Sequence, residues 1–105
     1  MMGEFELLVL LAVLRAGDEA YGSRILEELH ERSGRSVARG AVYVTLDRLE
    51  VKGLLASRTE SGAPARGGRR RRYYTVRPSG LAALRQSLEA FGRMREGLKL
   101  GLKHP

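Results

Sequence analysis

Residues Glu4–Ala16, EFELLVLLAVLRA, are the stretch that most limits how this chain can fold. Good helix formers, acids at the start, Arg15 near the end and Gly17 just beyond mark one helix. Leu7, Leu10, Leu11 and Leu14 make one stripe along it, and Leu8, Val9, Ala12 and Val13 make its other sides apolar too. A helix apolar all round must be covered all round. A single domain of 105 residues builds only a modest core. A second subunit is therefore the economical cover. A packed final helix from the same chain is the alternative, and both can hold.

The apolar run over residues 5–14 is too short to span a bilayer. It has no basic segment before it and no small-residue cleavage site after it, so it does not read as a secretion signal. A cytoplasmic protein with no membrane partner is expected. Apolar content of 43% excludes a wholly disordered chain. The formal net charge of +7 and a sequence pI of about 10.5 point to a polyanionic partner. Charge alone does not separate DNA, RNA and an anionic membrane. With no cysteine, disulfides and thiolate metal sites are excluded.

Residues 36–55, SVARGAVYVTLDRLEVKGLL, read as an amphipathic helix with a stop. Val42, Leu46 and Leu49 share one face, and Ala38, Ala41 and Thr45 flank it with small side chains. Ser36 is the expected N-cap and Gly53 the left-handed stop. The outward face carries Arg39, Gly40, Tyr43, Val44, Asp47 and Arg48. Small, basic and hydrogen-bonding groups of this kind suit a helix lying in a DNA groove. A solvated face with a half-buried Tyr43 suits them also. Just before it, residues 21–33 form a helix with Ile25, Leu26 and Leu29 inward and Arg24, Glu27, Glu28, Glu31 and Arg32 outward. The pair, joined through Ser33-Gly34-Arg35, has the helix-turn-helix pattern.

After Gly53 the period changes to two. Residues 54–60 alternate as a strand, with Leu55, Ser57 and Thr59 on one side. Residues 61–68, SGAPARGG, are turn formers. Residues 69–76, RRRRYYTV, return as a second strand, with Tyr74 and Val76 on one face and Tyr73 and Thr75 on the other. Arg66, Arg69, Arg70, Arg71 and Arg72 concentrate charge at the tip and the returning strand. A charge run is usually a solvated loop. On a hairpin directly after a recognition helix, it reads as a wing that grips phosphate or the minor groove. Pro78 is suited to the first position of a last helix. Leu81, Leu84, Leu88 and Phe91 recur there at steps of three and four and, past an interruption at Arg95, Leu98 and Leu102 continue the stripe, with Met94 beside the seam. The fold class expected is α+β, mainly helical: a winged helix-turn-helix over residues 1–77, with an added C-terminal dimerisation helix over 78–105.

At three places the chain resembles the PadR family of bacterial transcriptional regulators, in its short form with a single C-terminal helix. Tyr21-Gly22 followed by Ile25 is similar to the family's YG-x-x-I. Gly40-Ala41-Val42-Tyr43, Leu46, Arg48-Leu49-Glu50 and Gly53-Leu54-Leu55 are similar to G-x-L-Y-x-x-L-x-R-L-E-x-x-G-L-L. Arg72-Tyr73-Tyr74 and Pro78-Ser79-Gly80 are similar to R-x-Y-Y-x-L-T-P-x-G. Three departures stand out: Ser23 replaces a frequent aromatic, Val44-Thr45 a proline-containing pair, and Arg77 a capping threonine. No tryptophan is present, so the aromatic drug pore of some multidrug-sensing members is not implied. The resemblance implies a homodimeric repressor on an imperfectly palindromic operator, its first and last helices docked on the partner's.

The expected partners are double-stranded DNA, a second copy of the chain and a small apolar effector wedged between the last helices. DNA contacts are expected from Ser36, Arg39, Gly40, Tyr43, Val44, Thr45, Arg48 and the five wing arginines. Dimer contacts are expected from Leu7, Leu8, Leu11, Leu84, Leu88, Phe91, Met94 and Leu98. No cofactor, metal or catalytic constellation is expected: His30 and His104 lie far apart, and Asp18-Glu19 is a turn. A carboxylate–histidine metal site at His30 with Glu27, Glu28 and Glu31 is conceivable, but a solvated helix face is the preferred reading. Two competing functions use the same residues. One is a winged-helix module that binds protein or RNA, with Tyr73 as a stacking platform. The other is membrane-surface binding by the last helix through Arg93, Arg95, Lys99 and Lys103.

Overall fold

The computed structural model describes residues 2–60 and 70–101. Helices α1 (Glu4–Ala16), α2 (Gly22–Ser33) and α3 (Arg39–Val51) come first, with a 3-10 turn at Gly17–Glu19. Strands β1 (Leu55–Thr59) and β2 (Arg72–Val76) and helix α4 (Pro78–Arg95) follow. The strands pair antiparallel, with Leu55 opposite Val76 and Thr59 opposite Arg72. This is the expected mainly helical α+β order, with a two-stranded sheet as the wing.

One core joins all these elements. Val9, Leu10 and Val13 of α1 pack with Ile25 and Leu29 of α2 and with Val42, Leu46 and Leu49 of α3. Leu55, Tyr74 and Val76 close it from the sheet and Leu84 from α4. The predicted strand alternation holds, since Tyr74 and Val76 are buried while Thr75 is exposed. Burial also pushes the Tyr74 hydroxyl pKa upward. The chain itself covers most of α1. Leu7 and Leu84, expected at a subunit interface, are both buried in this core, which corrects that expectation. The remaining uncovered strip of α1 is Leu8 and Leu11, half-buried, and Leu14, exposed.

The ends of α3 are set differently. At its C-terminus Gly53 takes φ +79°, and Leu54 N–H reaches Leu49 O at 3.0 Å while Gly53 N–H reaches Glu50 O at 2.9 Å. This left-handed stop is the one the sequence called for. At the N-terminus the helix begins at Arg39 with Ala38 as N-cap, so Ser36 does not cap it. Tertiary ties anchor the connection before it. His30 Nε2 donates to the Val37 carbonyl at 2.8 Å, and Arg35 forks onto both Glu4 carboxylate oxygens at 3.0 Å. Glu4 is held below the usual carboxylate range by that arginine.

Glu28, expected to face outward, is buried where the last turn of α1 lies over α2. Arg24 at 2.8 Å and Arg15 at 3.4 Å offset its desolvation. Glu6 is buried as well. Its hydrogen bond from Lys52 at 2.8 Å ties α1 to the end of α3 and holds its pKa down.

Helix α4 starts without a side-chain cap, Pro78 taking its first position as expected. Two bonds hitch it to the turn after α3: Arg77 N–H to Leu54 O at 2.9 Å and Ser79 Oγ to Gly53 O at 2.6 Å. Gly80 is required here, because a β-carbon would lie 2.9 Å from Val76 Cγ1 and against the Leu54 carbonyl. The helix stops at Arg95, and Gly97 takes φ +81°. The predicted seam thus ends short of Leu98, and Leu102 lies outside the described residues.

Candidate nucleic-acid interface

The period of α3 decides which side chains leave the core. Val42, Leu46 and Leu49 are fully buried, whereas Arg39, Gly40, Tyr43, Val44, Asp47 and Arg48 are exposed, as the sequence predicts. Thr45 is the exception among the expected DNA contacts. It is 4% exposed and lies on the core side of the helix, so its hydroxyl is not offered outward. Ser36 is exposed in the connection before α3.

Tyr43 does not project freely. Its ring lies over Gly22, where a β-carbon would approach Cε1 to 2.5 Å. The Tyr-Gly pair at the start of α2 and the Gly-x-x-Tyr of α3 are therefore one contact: a missing side chain on one helix seats an aromatic ring on the other. Gly22→Ala should push the half-exposed Tyr43 ring off its seat at a cost on the order of 1 kcal/mol, although alanine is the better helix former. Urea unfolding of Gly22→Ala, alone and with Tyr43→Ala, measures this. An alanine variant as stable as the parent, or one that Tyr43→Ala does not relieve, contradicts the contact.

Tyr21 is tied to the wing. It forms a bridge with Tyr73, their rings meeting edge to face at 5.6 Å and 83°. The Arg71 guanidinium stacks 3.8 Å from the Tyr21 ring centroid, and Arg58 lies 4.7 Å from that of Tyr73. Hydrogen bonding with Tyr73 further favours the charged form of Arg71. Arg72 turns to the other face of β2, where its Nε donates to Ser57 Oγ at 3.0 Å, and Ser57 in turn donates to Glu50 at 2.6 Å. Neighbouring arginines at the start of the strand thus point to different faces. Arg70 is exposed, and Arg66 and Arg69 lie outside the described residues.

These elements meet around one concavity of about 350 Å³, lined by Tyr21, Gly22, Ser23, Arg39, Tyr43 and Arg70 to Arg72. Tyr21, Gly22 and Ser23 bring the N-terminus of α2 to its lining, the end of the helix that carries partial positive charge. Its walls are arginines from α3 and the wing. Such a cradle suits an oxyanion of a polyanionic chain. Sequence reasoning missed Tyr21, Gly22 and Ser23 as members of this site. Their only signal was the Tyr-Gly motif itself, which does not say what it touches.

A second surface lies at the far end of α4. Leu88, Phe91, Met94 and Leu98 are all exposed, Met94 by 77%, and with Leu100 they line an open apolar groove. Leu8 and Leu11 line another, between α1 and α2, with Ala12 and Leu29. Among the described residues no group of histidine and carboxylates is placed to hold a metal, and His30 is occupied with Val37.

Residues 10–86 match the Transcriptional regulator PadR-like family. The chain is 41% identical over 81 residues to Transcriptional regulator Rv3488 of Mycobacterium tuberculosis, an alignment covering 74% of this chain and 71% of that protein. The crystal structure of a PadR family transcription regulator from hypervirulent Clostridium difficile superposes with TM-score 0.71 at 27% identity, covering 88% of this chain and 92% of that one. Bacillus subtilis PadR, solved in complex with operator DNA, shares the fold with TM-score 0.69 at 24% identity, over 84% of this chain and 48% of that one. These relatives are regulators of transcription, not enzymes. Sequence, fold and relatives agree: this chain belongs to the PadR-like family of transcriptional regulators.

Proposed function

We propose that this PadR-family regulator is a homodimeric repressor that binds a palindromic operator in double-stranded DNA. The observation that carries this is the shared surface formed by the outward face of α3, the N-terminus of α2 and the arginines of the wing. In this reading Arg39, Gly40, Tyr43 and Val44 face the major groove. Ser36 and Arg48 lie nearer the backbone. Two or three of Arg66, Arg69, Arg70, Arg71 and Arg72 per subunit meet phosphate or the minor groove, since neighbouring strand residues point opposite ways. Residues 1–77 carry the DNA-binding role. Residues 78–105 carry the dimer contacts, with the first turns of α4 anchored in the core. An effector for such a regulator would be small and apolar, seated between the last helices. Wedging them apart would change the spacing of the two reading heads.

An RNA module is less well supported, because the Tyr73 ring is already engaged by Tyr21 and Arg58 and offers no free stacking platform. Membrane-surface binding has no feature of its own to support it, since subunit packing uses the same leucines of α4. Among the described residues no helix is long and apolar enough to cross a membrane.

The test is selective retention of a duplex carrying an inverted repeat over a scrambled duplex of equal length, followed by salt titration. Each arginine–phosphate pair removed should flatten the slope of log affinity against log salt by about 0.9, so a single substitution, present in both subunits, should flatten it by about 1.8. Single alanine variants of Arg70, Arg71 and Arg72, extended to Arg66 and Arg69, read this directly. Two or three of them per subunit should show it. If all five leave the slope unchanged, the wing has no part in binding.

A further inference from the structure

We infer that Val44 reads the 5-methyl group of a thymine in each half of the operator, and that this apolar contact is a main source of base discrimination at the centre of α3. The assignment rests on the DNA-binding reading above and adds the chemistry it recognises.

Val44 is 57% exposed at the middle of the outward face, one turn beyond Gly40. A β-branched side chain held in water at that position helps neither the helix nor the core. Gly40 meets nothing within 4 Å even when a β-carbon is added, so a flat gap lies beside the valine methyls. A gap next to two methyl groups lets a base pair approach until those methyls touch it.

The surrounding polar groups narrow what can be read. Helix α3, RGAVYVTLDRLEV, contains no asparagine or glutamine, the side chains that read adenine with two hydrogen bonds. Arg35, just before it, is committed to Glu4 through two bonds at 3.0 Å. Thr45 is buried, and the Tyr43 ring is lodged over Gly22. In the first two turns Arg39 is left to reach a guanine, and Val44 is left with apolar chemistry. The apolar group that a base pair in unmodified DNA presents in the major groove is the thymine methyl.

The experiment uses the full chain. Duplexes are first selected by the unmodified protein from a random-sequence library. They are then remade with deoxyuridine replacing thymine at one position at a time, which removes the methyl and leaves the pairing unchanged. At one thymine per half-site the replacement should weaken binding about fourfold, the worth of one buried methyl group. The Val44→Ala protein, whose fold is not at risk at an exposed position, loses two methyl groups and should discriminate thymine from deoxyuridine less than the parent there. It should keep the parent's response at every other position. If no position responds to deoxyuridine, or if the response persists undiminished in Val44→Ala, the assignment to Val44 is overturned while operator binding stands. A library that yields no preferred sequence overturns operator binding and this assignment together.

Discussion

Gly40→Glu is expected to reduce operator binding to the non-specific level, a loss on the order of 10³-fold or more, without loss of stability. The position makes the two effects separable. A β-carbon at Gly40 meets nothing within 4 Å, so the added side chain strains no packing. It sits in the first turn of α3, where a carboxylate interacts favourably with the helix dipole and glutamate is a better helix former than glycine. The variant should therefore melt at the parent's temperature or slightly above it. Against DNA the same side chain fills the gap through which bases approach Val44 and sets a negative charge among phosphates. Thermal melting and titration with the selected duplex measure both effects on one preparation. Unchanged affinity would mean that this face of α3 is not the reading head.

In the proposed homodimer, replacing Leu88 and Phe91 together by aspartate should leave a folded monomer and weaken binding to the full operator by several orders of magnitude. Both side chains are exposed in the isolated chain, Phe91 by 54%, so their loss removes nothing from the core. Leu84, one turn earlier, is buried, and aspartate there should unfold the protein. The contrast separates seam from core along one helix. Burying each leucine or phenylalanine contributes roughly 1.5–3 kcal/mol. Leu88, Phe91 and Met94, set against the strip left open by Leu8 and Leu11 on the partner, can therefore hold two subunits together. The dimer would place the two α3 helices about one DNA turn apart, roughly 34–36 Å. A monomer loses that register and binds one half-site. Light scattering gives the mass, and titration with full and half operators gives the affinities. A double variant that stays dimeric, or a monomer that binds the full operator as the parent does, would overturn this arrangement.

Much of this protein was legible in its residues. The step pattern of Val42, Leu46 and Leu49 chose the buried face of α3, and with it the outward one. The alternation of Tyr73, Tyr74, Thr75 and Val76 chose the faces of β2. Gly53 and Pro78 marked a helix stop and a helix start. Each of these signals is local: it depends on the helical or strand period and on the backbone freedom of one residue, and both are written in a few consecutive positions. Other outcomes were decided only when distant segments met. The α1 helix does need cover on every side, but periodicity cannot say who supplies it. The chain's own core took Leu7 and left Leu8, Leu11 and Leu14. Ser36 is a good cap by type, yet His30 and the Glu4–Arg35 pair anchor the connection and α3 starts later. Thr45 could have belonged to either face by its chemistry, and packing buried it. Above all, nothing near Gly22 announces that it lacks a side chain because Tyr43 lies on it, or that Tyr21 carries Arg71. Those contacts join residues far apart in the chain, and only the path of the backbone brings them within reach.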